Sequence, residues 1–411
     1  MLQEDAAALL VEAVSHGIRG EKLRWEKLPA ARWEALLRLA QEQKLLPILA
    51  DAIWESPAAE AEAAFSACRQ AARRQVMLQA QKDAAFLPIY GRLRQAGIPA
   101  LVVKGSVCRT VYPNGALRIS ADEDLLVEPE RFAAACSLLS EAGLSPTPGS
   151  DFLRSPEIGW RSTDGLLCIE LHRYLFEPDS GPFGLLQSVF QDLFSRARTY
   201  PLEGGEALLS LSPHDHLLYL LLHAMKHFIR TGFGLRQICD VGLWAARWKR
   251  EIDWPLLWRQ TESVRAERFS AALFAAAERR LGLELKLPAP WDREAPDPEP
   301  LLEDALEGGI YGSATRSREH SARITQDAVA AQRRGKRRSL RTAIFPPGRD
   351  LETEYPELKA HPARLPLVWQ KRLVRYLKGA AAAADDSPLE SVRLGRRRLA
   401  LLREYGILEE E

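Results

Sequence analysis

Two aspartates one residue apart, Asp122 and Asp124, stand in the run Ala121-Asp122-Glu123-Asp124-Leu125-Leu126-Val127. On an extended strand, residues two apart point to the same face, with α-carbons roughly 6.5–7 Å apart. Both carboxylates then lean toward one point, and Glu123 faces the other way. Carboxylates sharing a face repel each other unless a cation sits between them. Mg²⁺ suits such a place, because it takes a few carboxylates plus phosphate oxygens and keeps water; Mn²⁺ is the alternative ion. Glu170 lies on a later apolar stretch, where alternation sets it on the face of Cys168 and His172. A neighbouring strand would bring it beside the aspartates.

Upstream, Lys104-Gly105-Ser106 ends one apolar run and opens a helical one. Glycine permits a tight turn and close approach of a ligand to the backbone. The first amides of a helix are a natural seat for phosphate, and Lys104 would add a point charge. Phosphoryl transfer needs these parts and little else. Metal ions neutralise the phosphate chain, and two of them about 3.5–4 Å apart hold both the attacking and the leaving oxygen. A third carboxylate, Glu170, would hold metal on the nucleophile's side. A lone Asp-x-Asp pair is more often a solvated turn than a metal site; the ordered set of Gly-Ser, Asp-x-Asp and a later acid is what points to chemistry.

The elements that must position these residues are legible in outline. Gly97 is placed to cap the C-terminus of a helix. Ala100 to Val103, bounded by Pro99 and Gly105, reads as a buried strand. A short helix is predicted over 106–112, and a second strand from about Ala121 to Val127. Pro129 starts a helix that runs to Gly143, and a further strand covers Leu166 to Leu171. Helix and strand alternate, so the region is an α/β layer. Ser212, Pro213 and Asp215 mark a helix start, and the prolines from 288 to 300 mark a border.

Lys104-Gly105, Tyr112-Pro113, Arg118 and Asp122 through Val127 resemble the signature of the nucleotidyltransferase superfamily that shares the DNA polymerase beta fold. More narrowly they are similar to its "uncharacterised nucleotidyltransferase" branch. The resemblance covers roughly 80–280 and extends faintly to Pro346-Pro347 and Tyr355-Pro356. It implies an α+β fold, a small mixed sheet with flanking helices, embedded in a mostly helical chain. It also implies NTP–Mg²⁺ as donor, Gly105 and Ser106 at the phosphates, Asp122 and Asp124 as metal ligands, and Glu170 as the third carboxylate. Two positions depart from the branch: Ala121 replaces a usual glycine, and Glu123 a usual apolar residue. An acid at 123 predicts a strand that is not fully buried. The chain then divides into an N-terminal helical region (1–80), a catalytic domain (81–205), a helical domain (206–300) and a mostly helical C-terminal region (301–411).

Other features carry two readings each. His223 and His227 fall one helical turn apart, with His216 before them and Asp240 after. Two such imidazoles can ligate one ion, but in a Leu-rich helix histidines are more often packed and hydrogen-bonded. Between these readings, His223, Lys226 and His227 face the cleft and bind the phosphates of nucleotide or acceptor. Arg118 either grips a triphosphate bidentately or pairs with Glu123 or Glu128. Trp244, Trp248, Trp254 and Trp258 read as a packing stripe. The basic run 333–341 lacks interleaved aromatics for base stacking and reads as a solvated face.

Composition bounds the rest. With 411 residues, 46% hydrophobic and 27% charged, the chain is an ordinary globular one of two or three domains. A net charge of +1 argues against a coat for nucleic acid or an anionic membrane. Five scattered cysteines without a CxxC pair argue against disulfides and cysteine zinc sites. With no signal peptide and no apolar run of membrane length, a cytoplasmic enzyme is expected. The expected function is NMP transfer from NTP to a hydroxyl or phosphate acceptor on a small molecule, peptide or protein. The alternatives are a nucleotide-binding module that holds a protein or peptide partner, and an RNA-end-modifying enzyme.

Overall fold

The structure is a computed structural model. It describes residues 2–25, 28–56, 63–202, 205–293, 295–308, 316–333, 348–351, 355, 357–371 and 388–409. Helices α1 (Leu2–Ile18), α2 (Ala30–Glu42) and α3 (Leu46–Ala52) lead into the long α4 (Ala63–Gln95). The domain border expected at residue 80 falls inside α4, which continues past Pro88 to the Gly97 turn, where φ is +67°.

The strands are β1 (Ala100–Val103), β2 (Glu123–Val127), β3 (Leu144–Pro146), β4 (Glu157–Ser162) and β5 (Cys168–His172). They form one mixed sheet in the order β1-β2-β5-β4-β3. The short α5 (Gly105–Arg109) follows β1, and α6 (Phe132–Glu141) follows β2. A separate hairpin, β6 (Arg198–Pro201) and β7 (Ala207–Ser210), is tied to β1 by the Ser210 hydroxyl, which donates to the Val102 carbonyl. The fold is α+β and nucleotidyltransferase-like, as the sequence implied. Strands β3 and β4 were not legible: β3 has three residues and β4 carries Gly159 and Arg161 among its apolar positions.

The helical side includes α7 (Pro213–Ile229), α8 (Leu235–Trp248), α9 (Trp254–Ser263), α10 (Glu267–Leu281), α11 (Glu299–Gly308), α12 (Arg316–Arg333) and α13 (Pro388–Glu404); among the described residues between the last two are short helices at Gly348–Leu351 and Glu357–Ala360. Ser212 caps α7 as its sequence dictates, accepting from the Asp215 amide. The tryptophan stripe is packing: Trp244 lies 5.5 Å from Tyr200, and Trp258 lies 4.9 Å from Trp291, edge to face. One continuous apolar core joins α1–α4, the sheet and α7–α11.

All five cysteines are free thiols. Among the described residues, no helix is long and apolar enough to cross a membrane. Of the basic run, Arg333 ends α12 and 334–341 lie outside the described residues, as do Pro346, Pro347 and Pro356.

Candidate active site

Register builds the site. β2 pairs antiparallel with β1 and parallel with β5, so Asp124 stands opposite Val103 on one side and Glu170 on the other. Lys104, one residue beyond Val103, therefore arrives beside Asp124, its Nζ 3.0 Å from Oδ2. Asp122 sits just before β2 rather than on it, and lines the same cavity as Asp124, Glu170 and Lys104.

His172, two residues along β5 from Glu170, completes the group. Its Nε2 lies 3.0 Å from Asp124 Oδ1 and 3.7 Å from Glu170 Oε2, and its Nδ1 lies 3.5 Å from Glu157 Oε2. Asp124, Glu170 and His172 each offer a ligand atom within 4.8 Å of the others, a grouping that could hold a metal ion; Asp122 is outside that trio.

The charges are unequal in comfort. Burial opposes ionisation of Asp124, yet the Lys104 ammonium and the His172 hydrogen bond hold its carboxyl below the usual range. Burial likewise opposes the charge on Lys104, which Asp124, Tyr219, Asp122 and Glu170 raise well above an ordinary lysine. His172 is pushed up to about 9, because its bonds to Asp124 and Glu157 outweigh its burial. Glu170 is left short: burial first, then the neighbouring Asp124 and Asp122, push it up to about 7. A carboxylate held in that state gains from a cation.

The opposite wall is α7. His223 Nε2 lies 3.1 Å from Lys104 Nζ, and His227 Nε2 lies 3.2 Å from His223 Nε2. Burial and then the adjacent Lys104 keep both imidazoles neutral, His227 down to about 3. Lys226, Arg230 and Tyr219 line the same cavity. Among the described residues, neither histidine belongs to a three-ligand group. His216 is a structural histidine: buried and neutral, it accepts from the Lys104 amide at 3.2 Å.

Three residues stand elsewhere than their sequence suggested. Asp240 accepts from Arg118 Nε (3.2 Å), Arg118 Nη2 (2.7 Å) and the Tyr112 hydroxyl (2.7 Å). Arg118 therefore meets neither Glu123 nor Glu128, and its Nη1 is buried without a hydrogen-bond partner. The Ser106 amide and hydroxyl both donate to Glu123 Oε2, at 3.1 and 2.8 Å. Glu123 itself is buried, and β2 is buried along its whole length, against the expectation of partial exposure. The reason is compensation: Arg109 Nη2 (2.9 Å) and the Ser120 hydroxyl (3.1 Å) donate to Oε1, and Arg109 is held in turn by Asp83. Gly105 lets the carboxylate approach, since a Cβ there would lie 2.4 Å from Oε2.

The family described as uncharacterised nucleotidyltransferase matches residues 29–282, more than half of the chain. The chain belongs to that family. No curated protein and no solved structure matches it. The nucleotidyltransferase match runs from α2 to the end of α10, so it contains every residue of the cavity. It leaves α11, α12 and α13 outside.

Sequence reasoning missed four members of this site, His172, Glu157, Arg230 and Arg236. His172 shares a face with Glu170 by simple alternation, and that alternation was the available signal. Glu157 comes from β4, which had no signal of its own. Arg230 and Arg236 also line the cavity; Arg230 follows Lys226 by one helical turn.

Proposed function

We propose that the protein is a Mg²⁺-dependent nucleotidyltransferase that moves NMP from NTP to a hydroxyl or phosphate acceptor and releases pyrophosphate. The observation that carries this reading is the parallel β2–β5 register, which sets Glu170 against Asp124 beside Lys104. Asp122, Asp124 and Glu170 would hold the ion, with Mn²⁺ as an alternative. Bound there, a divalent ion supplies charge neutralisation on the phosphates and lowers the cost of the developing negative charge.

The chain's own residues divide the remaining work. Lys104 and Gly105 meet the phosphates at one wall, and His223, Lys226 and His227 meet them at the other. Arg118, held by Asp240, lines the same cavity and would reach the phosphates from that side, whereas Ser106 acts from behind, fixing Glu123. In the transfer, the acceptor oxygen forms a bond to the α-phosphorus, and the bond from that phosphorus to the bridging oxygen breaks. Its electron pair leaves with pyrophosphate. A hydroxyl acceptor gives up its proton to solvent, a loss that an ion held by Glu170 on the acceptor's side would favour. His172 donates to Asp124 and keeps that carboxylate aimed.

The test is pyrophosphate release from each NTP with Mg²⁺ across hydroxyl- and phosphate-bearing acceptors, in wild type and in Asp122→Asn and Asp124→Asn. Release that both substitutions leave unchanged would sink the assignment. A second reading, a nucleotide-binding module without turnover, draws on one observation: Lys104 and His172 already engage both oxygens of Asp124. Tight calorimetric binding of Mg²⁺–NTP with no pyrophosphate from any acceptor would favour it.

A further inference from the structure

The C-terminal end of α7 is finished in an unusual way. The last carbonyls of a helix have no partner inside it, and a left-handed glycine commonly closes them off. Here the capping residue is Arg230, with φ −78° and ψ −109°, outside the left-handed region. Side chains from far along the chain take the carbonyls instead. Arg398 Nη2 donates to Phe228 O and, at 2.8 Å, to Arg230 O. Thr325 Oγ1 donates to Ile229 O at 2.6 Å. Arg318 Nε donates to Thr231 O at 2.6 Å. Four consecutive carbonyls, 228 to 231, are thus held by three residues of α12 and α13.

These donors are built in. Arg318 and Arg398 are 3% and 1% exposed. Arg318 pairs with Asp304 of α11 at 3.0 Å, and Arg398 Nη1 donates to the Ser321 hydroxyl at 3.0 Å. Glycines make room for the Arg318 guanidinium: a Cβ at Gly232 would lie 2.8 Å from Nη2, and one at Gly308 would lie 2.4 Å away. Two guanidinium charges at a helix C-terminus also complement its dipole. Burying arginine is costly unless its donors are used; here Arg318 Nε and Arg398 Nη2 reach the carbonyls of one turn, while Arg398 Nε is buried without a hydrogen-bond partner. That turn carries Lys226, His227 and Arg230 into the cavity.

We propose that α12 and α13 latch the end of α7, and that Arg318, Thr325 and Arg398 are positioning residues that aim Lys226 and Arg230 at the phosphates of the nucleotide. The latch lies beyond the matched family residues 29–282, so the C-terminal region completes a site whose reacting groups lie elsewhere. The proposal rests on the nucleotidyltransferase reading for its ligand, and on hydrogen bonds alone for the latch.

The test uses the full chain with Arg398→Met, Arg398→Lys and Thr325→Val. Backbone hydrogen exchange over 226–232 is measured without ligand, beside the thermal midpoint, and then KM and kcat with Mg²⁺–NTP. Expected is a rise of roughly tenfold or more in exchange at 226–232 in Arg398→Met and Thr325→Val, with β2 and β5 unchanged. The KM for NTP should rise about tenfold while kcat stays within about twofold. Arg398→Lys should recover part of both effects. Should Arg398→Met fail to fold, Thr325→Val, which removes one hydroxyl at constant shape, carries the measurement. Unchanged exchange at 226–232 overturns the latch whatever the activity. Faster exchange with an unaltered KM, or with KM and kcat lost together with the folded fraction, overturns the positioning role. A wild type that shows the expected exchange pattern but neither binds nor turns over NTP overturns the functional reading and leaves the latch standing.

Discussion

β2 carries carboxylates on both faces, and the two faces are opposites. On the rear, Glu123 accepts four hydrogen bonds, from Arg109, Ser120 and the amide and hydroxyl of Ser106. On the front, Asp124 has two cationic partners, while Glu170 beside it is pushed up to about 7 by burial and by Asp124 and Asp122. The rear acid is complete within the protein; on the front, Glu170 is left short of partners, with His172 3.7 Å away. A buried carboxylate with its donors filled is a structural part, and one left short of them is a candidate for chemistry.

The sharpest way to break this contrast is to remove one acid from each face. Asp124→Asn should lower pyrophosphate release per folded molecule by roughly 10³-fold, as removal of a transition-state charge contact does. Glu123→Ala should do the reverse. It leaves Arg109 short of one partner and the Ser106 amide buried and unpaired, so it should cost roughly 3–5 kcal/mol of stability in denaturant melts, with kcat per folded molecule retained. Equal losses of kcat from the two changes would erase the distinction.

Titration sharpens it further. His172 is raised from 6.5 to about 9 in the folded protein. Its stabilising contribution is therefore complete below about pH 6.5 and disappears as pH rises through 9. Metal-free protein should lose on the order of 1–3 kcal/mol across that window, and His172→Gln should flatten the loss in melts run as a function of pH. Glu170 gives the smallest effect. Its folded pKa is also raised, but it is an acid, so ionising it costs stability as pH climbs from about 4.5 through 7. Glu170→Gln should stabilise the metal-free protein at pH 8 by roughly 1 kcal/mol, because its exposed side is screened, and so raise its melting point, while lowering turnover. A drop in melting point would mean that Glu170 is a rear-face acid in disguise.

Much of the frame is written in local sequence. Ser212-Pro213 and Asp215 start α7, Gly97 turns the chain out of α4, and the four apolar residues from Ala100 form β1. These are effects of capping and backbone preference within a few residues, so spacing alone reveals them. The positions of Asp122, Asp124 and Glu170 were legible for the same reason, as were the family and its α+β fold. Membership of His172 in the group was present as an alternation but carried no mark to separate it from a packed imidazole.

What the tertiary structure decided were pairings across long stretches of chain. Whether Asp124 faces Glu170 or Cys168 depends on the β2–β5 register, and a shift by one residue would exchange the faces of the strand. That Arg118 meets Asp240, 122 positions away, and that Glu123 is neutralised from Arg109 and Ser120, follow from how elements pack. The latch on α7 joins residues 87 to 170 positions apart. Periodicity and capping report only neighbours along a helix or strand, whereas a buried charge is settled by whatever the fold brings to it. The sequence by itself determined which acids were available; packing decided which of them were paired from within the protein and which were left short of partners.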